Sequence, residues 1–223
     1  NPDDGFLIGL NLSKTTYKFK KDPYHAQHKF VGSYAFATNA WYLQYDADVL
    51  NAFGGWDFMF ESQFSAPSYV LNYFGFGNRA RADFETNRIN FYRVRQSQLY
   101  LFPSIKKRFA GNNGKFFFGP LFDARDLEQN ENRFITSPEA GLAPGDFDVK
   151  YFGGGMMGLR FNSLDNWLNP HRGIAFHATL RYLNDFGDDV YSFGTLRTGL
   201  SIYKPLDLGE KFIFRTHVGY EHN

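Results

Sequence analysis

Residues Gly173-Ile-Ala-Phe-His-Ala-Thr-Leu-Arg-Tyr182 alternate without a break: Ile174, Phe176, Ala178, Leu180 and Tyr182 fall on one side, and Ala175, His177, Thr179 and Arg181 on the other. A period of two sends successive side chains to opposite faces, which is the geometry of a β-strand. One face is apolar and the other carries charge. The contrast returns at 56–65, where Trp56, Phe58, Phe60 and Phe64 oppose Asp57, Met59, Glu61, Gln63 and Ser65. It returns again at 211–221, where Phe212, Phe214, Val218 and Tyr220 oppose Lys211, Arg215, His217 and Glu221. A strand with lipid outside and water inside reads in this way.

Composition agrees. The 223 residues include 27 Phe and 14 Tyr, more large rings than a soluble domain of this size hides easily, and no cysteine. Each ring buries roughly 150–250 Å². Mean hydropathy is nevertheless negative, and no uninterrupted apolar run approaches the ~18 residues of a membrane-crossing helix. Alternating strands reconcile these facts, because half of each strand is polar. A net charge of +1 leaves no electrostatic footprint for nucleic acid.

Alternating runs bounded by turn residues predict an all-β fold, an antiparallel transmembrane β-barrel with about eleven strands in view and residues 1–223 as one domain. The first strand, 6–19, turns Phe6, Ile8, Leu10 and Leu12 to one face. Ala66-Pro67 is expected to end the strand that starts at Trp56, since proline cannot donate within a central ladder, so that 69–76 becomes a separate strand. A phase shift near Gln96 suggests a bulge in the strand 89–109. Short connections alternate with the longer ones at 20–27, 77–87 and 127–148, and barrels of the outer membrane have short periplasmic turns. On that rule the amino terminus lies on the periplasmic side.

A soluble β-sandwich or lipocalin-like barrel also alternates, with its apolar face inward. Two features stand against it. The expected inner face holds Arg93, Arg95, Arg160, Arg181, Arg197 and Arg215, and aromatic residues crowd the strand ends as a membrane girdle would (Tyr69, Phe102, Tyr151, Phe161, Tyr182, Tyr191, Tyr203, Tyr220). Asp57 and Glu61, with Asp46 and Asp48, are expected to pair with these arginines across the lumen, because an unpaired charge in a confined space is costly.

No constellation points to catalysis or to a cofactor. Gly153-Gly-Gly155-Met-Met-Gly158 matches G-x-G-x-x-G in letters, but that motif opens a helix, and here a strand runs on through Leu159, Arg160 and Phe161. His25 and His28 read as loop residues, and His177 and His217 as part of the lumen network; zinc needs three or four converging ligands. There is no G-x-S-x-G elbow and no H-E-x-x-H.

Asn169-Pro-His-Arg-Gly173, running into a strand, resembles the Asn-x-x-Arg-Gly turn of the BamA-type outer-membrane assembly superfamily, the bacterial surface-antigen family that includes TamA-like factors. Asp4-Gly5-Phe6 with Gly9 is similar to the first barrel strand of that family. The stretch from Phe161 through Asp165 and Trp167 to Gly173 looks most like the Bacteroidetes branch, in which such a barrel follows a calcineurin-like metallophosphoesterase. No Asp-x-His or Gly-Asn-His-Glu phosphatase motif occurs here. Family barrels have roughly sixteen strands, so the resemblance implies the amino-terminal part of such a barrel, or a reduced one that closes differently.

The resemblance further implies a non-enzymatic protein of the Gram-negative outer membrane that assists insertion of outer-membrane proteins or translocation of polypeptides. Its partners would be outer-membrane lipid, client polypeptides or β-barrel proteins, and periplasmic accessory proteins. Phe6, Ile8, Leu10 and Leu12 would lie on a lateral-gate strand, and Asn169, Pro170, Arg172 and Gly173 would form the family turn. The rival expectation is a passive outer-membrane pore, or a membrane anchor for a periplasmic enzyme domain.

Overall fold

A computed structural model describes residues 5–19, 22–75, 81–166, 168–187, 192–206 and 213–222. Ten strands follow one another as β1 (Leu7–Thr16), β2 (Ala26–Ala35), β3 (Ala40–Phe53), β4 (Trp56–Asn72), β5 (Arg93–Phe109), β6 (Gly114–Leu127), β7 (Lys150–Asn162), β8 (Gly173–Asp185), β9 (Ser192–Pro205) and β10 (Ile213–His222). Each pairs antiparallel with its neighbours in chain order, so the sheet is a meander with β1 and β10 at its edges. Among the described residues no helix is long and apolar enough to cross a membrane. Of the residues read as strand from the sequence, Phe76, Tyr191, Lys211 and Phe212 lie outside the described ones, as do Asp4 and Trp167 of the family resemblance and residues 207–209 of the turn after β9.

Registers assign the faces, because residues directly opposite in an antiparallel ladder point the same way. Following them from β1 to β10 collects Ile8, Leu10, Leu12, Trp41, Phe58, Phe64, Ile105, Phe118, Met157, Leu180, Ile202 and Val218 on one face. Many of these large side chains are exposed. An exposed apolar band that runs round the whole sheet, opposite a polar face, is what a membrane wall requires. The other face is largely polar and holds an apolar knot of Phe102, Phe117, Leu121 and Leu183, packed by Met59, Tyr100, Phe152 and Met156. Phe102 is therefore no girdle residue, and Tyr203, opposite Arg215, also faces inward. Tyr151, Tyr182 and Tyr220 are outward and exposed; the Tyr69 side chain lies outside the described residues.

Ten strands stand among the described residues against about eleven expected, because β4 runs through Ala66-Pro67. The ladder with β5 slips by two residues between Ser65 and Tyr69, so a bulge on β4 takes up the proline and the strand continues. The bulge expected near Gln96 on β5 is therefore on β4 instead: β5 keeps one register with β6 from Gln96 to Phe109.

One reversal fewer also moves the long connections. The connections after β4 and β6 leave the sheet at the end where β1 begins, while those after β1 and β7 leave it at the opposite end. The start of β1 therefore lies at the end with the longer connections, whereas the sequence put it at the end with the short turns. The two long segments fold on one another around Tyr92, whose ring centroid is 5.2 Å from that of Phe134 and 5.3 Å from that of Phe74. The Tyr73 hydroxyl donates to the Ala140 carbonyl at 2.9 Å.

Glycines mark the places where neighbouring strands come closest. A Cβ on Gly119 would lie 2.1 Å from the Pro103 carbonyl oxygen, so β5 and β6 meet there backbone to backbone. Their pairing lapses between Leu101/Phe122 and Ile105/Phe118 and resumes in unchanged register. The glycine run of β7 stays extended throughout, and no helix follows it.

Candidate functional site

Three places gather the residues singled out in the sequence: the inward face, the β1 edge, and the turn before β8. On the inward face, register places Arg160, Arg181, Arg197 and Arg215 together on β7 to β10, and Asp57 and Glu61 on β4. Arg93 and Arg95 do not join them. They share the phase of Leu99 and Leu101, where β5 enters the sheet; Arg93 is buried, and Arg95 lies 3.9 Å from Glu128.

Asp57 and Asp48 find basic partners on β5 instead of across the lumen, while Glu61 lies within electrostatic reach of Arg160 on β7 and Lys115 on β6. Asp57 is buried and accepts from the Arg108 Nε at 2.8 Å, and Lys106, also buried, bonds Asp48 and lies 4.0 Å from Asp57. This is the arrangement that burial demands, since a buried charge without a partner costs several kcal/mol. Asp57 also accepts from the Asn51 backbone N–H at 2.8 Å, which ties the end of β3 to the cluster. Tyr24, in the connection before β2, donates to Asp48 at 3.1 Å; burial, then that carboxylate, pushes its phenol up to about 12.

The arginines cover aromatic rings. Arg160 lies 5.4 Å from the ring centroid of Phe117, Arg181 5.7 Å from Phe193 and Arg215 5.6 Å from Tyr203. Each planar guanidinium can lie on a ring and keep its edge free for water or an anion. His217 bonds the Ser201 hydroxyl at 2.8 Å, in keeping with a lumen network. His28 belongs to β2, where it bonds the Tyr45 hydroxyl at 2.8 Å, and is not a loop residue. Among the described residues no group of three His, Asp or Glu is placed to hold a metal ion.

At the edge, β1 pairs with β2 along its whole length and has no strand on its other side among the described residues. Phe6, Ile8, Leu10 and Leu12 are all more than half exposed, and so is Leu7 on the opposite face. An edge of this kind presents a row of backbone donors and acceptors to any chain that can add to it.

The turn is a built structure. Asp165 accepts from the backbone N–H groups of Asn166, His171 and Arg172 at 2.9, 3.0 and 3.1 Å. These bonds, led by that from Arg172, hold its carboxyl below the usual carboxylate range. Asn166 accepts from Leu168 and Asn169 at 2.8 and 3.1 Å. Gly173 has φ of 123°, and a Cβ there would lie 2.3 Å from the Ser163 carbonyl oxygen, so only glycine fits. Asn169 contacts His171 through its amide, whereas Pro170 and Arg172 contribute backbone shape. Asp165 and Asn166 belong to the stretch that carries the family resemblance, and their hold on the turn is the role the motif alone leaves unassigned, although an Asx residue beside a Pro-x-x-Gly pattern is a turn signal.

Neither a family model nor a curated protein matches this chain. Among solved structures it is similar to the crystal structure of BamA from Haemophilus ducreyi lacking POTRA domains 1–3, with a TM-score of 0.61 and 13% identity. The match covers 98% of this chain and 38% of that one. The all-β antiparallel sheet therefore has the fold of part of an outer-membrane barrel, and the chain spans well under half the length of the BamA structure.

Proposed function

We propose that this chain forms part of the wall of a BamA-type barrel in the Gram-negative outer membrane, where it assists insertion of other β-barrels or the passage of polypeptides. The observation that carries this reading is the β1 edge, set in a sheet with a lipid-compatible outer face and a polar inner one. Phe6, Ile8, Leu10 and Leu12 anchor that edge in lipid while its backbone offers a template for a client strand. No side chain acts as acid or base in such a mechanism, and no cofactor is needed. If the long connections face outward, β1 runs inward from the cell surface and the 163–172 turn faces the periplasm, where accessory proteins reach it. A closer kinship with the Bacteroidetes branch rests on residues 161–173 alone.

The test is assembly of an unfolded outer-membrane protein in liposomes that contain this protein. We expect faster folding of the client than in empty liposomes, and a loss of that gain when prolines at Gly9 and Asn11, whose N–H groups point away from β2, remove edge donors. Ion conductance without any effect on client folding would overturn the proposal in favour of a passive pore or an anchor.

A further inference from the structure

The outward face is not smooth. A groove of about 630 Å³ crosses it from Phe53, at the β3–β4 hairpin, over Phe58, Ile105 and Phe118 to Leu180 and Tyr182 on β8. Two features hollow it out. Pro103 and Pro120 line it where the β5–β6 ladder lapses, and neither has an N–H to close the gap. Beside them Gly155, opposite Pro120 on β7, contributes no side chain.

We infer that this groove seats one acyl chain of a membrane phospholipid. The inference rests on the lipid-facing reading of the outward face given above. Six strands at ~4.8 Å spacing extend the groove over about 24 Å, enough for one extended chain beside a leaflet of ~15 Å, half of a ~30 Å hydrocarbon core. Its volume falls within the ~300–1,000 Å³ of sites that hold one small molecule. A peptide occupant would bring backbone N–H and C=O groups that need partners in hydrocarbon. The groove's lining supplies few, and the Ser104 hydroxyl points away from it to the inward face, where it donates to the Met59 carbonyl at 3.4 Å. An acyl chain makes no such demand. At the hairpin end Lys107 lies 5.6 Å from the Trp56 ring centroid and donates to the Gly55 carbonyl at 2.9 Å, which marks the level of lipid headgroups beside the groove's mouth.

Trp56 is a built-in reporter, because its ring lies 6.0 Å from that of Phe118 in the groove wall. Trp41, exposed on the same face at the other end of the sheet, reports ordinary lipid. Versions of the full chain that keep only one of these tryptophans would be folded into phosphatidylcholine vesicles containing a lipid brominated along its acyl chains, and fluorescence quenching would be followed against the brominated fraction. Trp56 should be quenched at a lower fraction than Trp41, and Gly155→Leu should abolish that excess while leaving Trp41 unchanged. Nothing but the Gly119 carbonyl, at 3.6 Å, lies near a Cβ at this position. Gly155→Ala gives the same comparison in milder form should Gly155→Leu fail to reach the heat-modifiable folded state. Equal quenching of both tryptophans, indifferent to residue 155, would overturn the groove and leave the lipid-facing wall intact. Quenching of neither would overturn both.

Discussion

Gly173 bears more of the structure than its size suggests. Its positive φ and the nearby Ser163 carbonyl make Gly173→Ala a strained substitution, with an expected loss of about 1–3 kcal/mol, read as a lower urea midpoint for the folded form in detergent micelles. Asp165 gives the same turn a pH dependence. Its folded pKa is depressed by the N–H bonds it accepts, so its contribution is complete above the ordinary aspartate value near 4 and disappears as pH falls through the lower folded value. The protection of the His171 and Arg172 amides, relative to intrinsic exchange at each pH, should fall over that acid window, and Asp165→Ala should make it low and nearly independent of acidification. On the inward face, Lys106→Met leaves Asp48 without its buried cation and should cost about 3 kcal/mol, measurable in the same urea titration; a smaller loss in Lys106→Met with Asp48→Leu would confirm the pairing. The turn was legible in the sequence because Pro170 and Gly173 restrict the backbone locally. The Lys106 cluster was not, since its members come from β3, β4 and β5 and meet only once register is set.

At the scale of elements, alternation located the long strands well, since a lipid-facing side and a wet side impose period two on each. It failed where a local rule met a tolerant neighbour. Pro67 was taken to end a strand, but a bulge can take up a proline without ending the pairing, and nothing in residues 66–68 announces which will happen. The same difference moves the long connections to the other end of the sheet, because one extra reversal exchanges its two ends. The long connections escaped sequence reading for another reason: their order comes from contacts between segments far apart in the chain, with Tyr92 buried between them. Tyr92→Ala should loosen both by about 3 kcal/mol, and limited proteolysis of the folded protein should then cut within 128–149 while β4 to β7 stay protected. Cleavage unchanged from the parent protein would show that these segments hold together without that ring.

For the whole molecule the decisive property is the difference between its two faces. Leu180→Arg sets a charge on the outward face near the middle of β8 and should cost about 2–4 kcal/mol. Arg181→Gln, one residue on and facing the other way, should change stability little. Similar losses from the two would contradict a membrane wall and favour a sheet wet on both sides. The lapse between Leu101/Phe122 and Ile105/Phe118 has a mechanical corollary. A ladder of hydrogen bonds resists shear cooperatively, and a missing stretch divides it into two stiff panels joined at a crease. Drawn out of a bilayer by its carboxyl terminus, the chain should surrender β10 to β7 hairpin by hairpin and then show a drop in rupture force as the β5–β6 crease gives way.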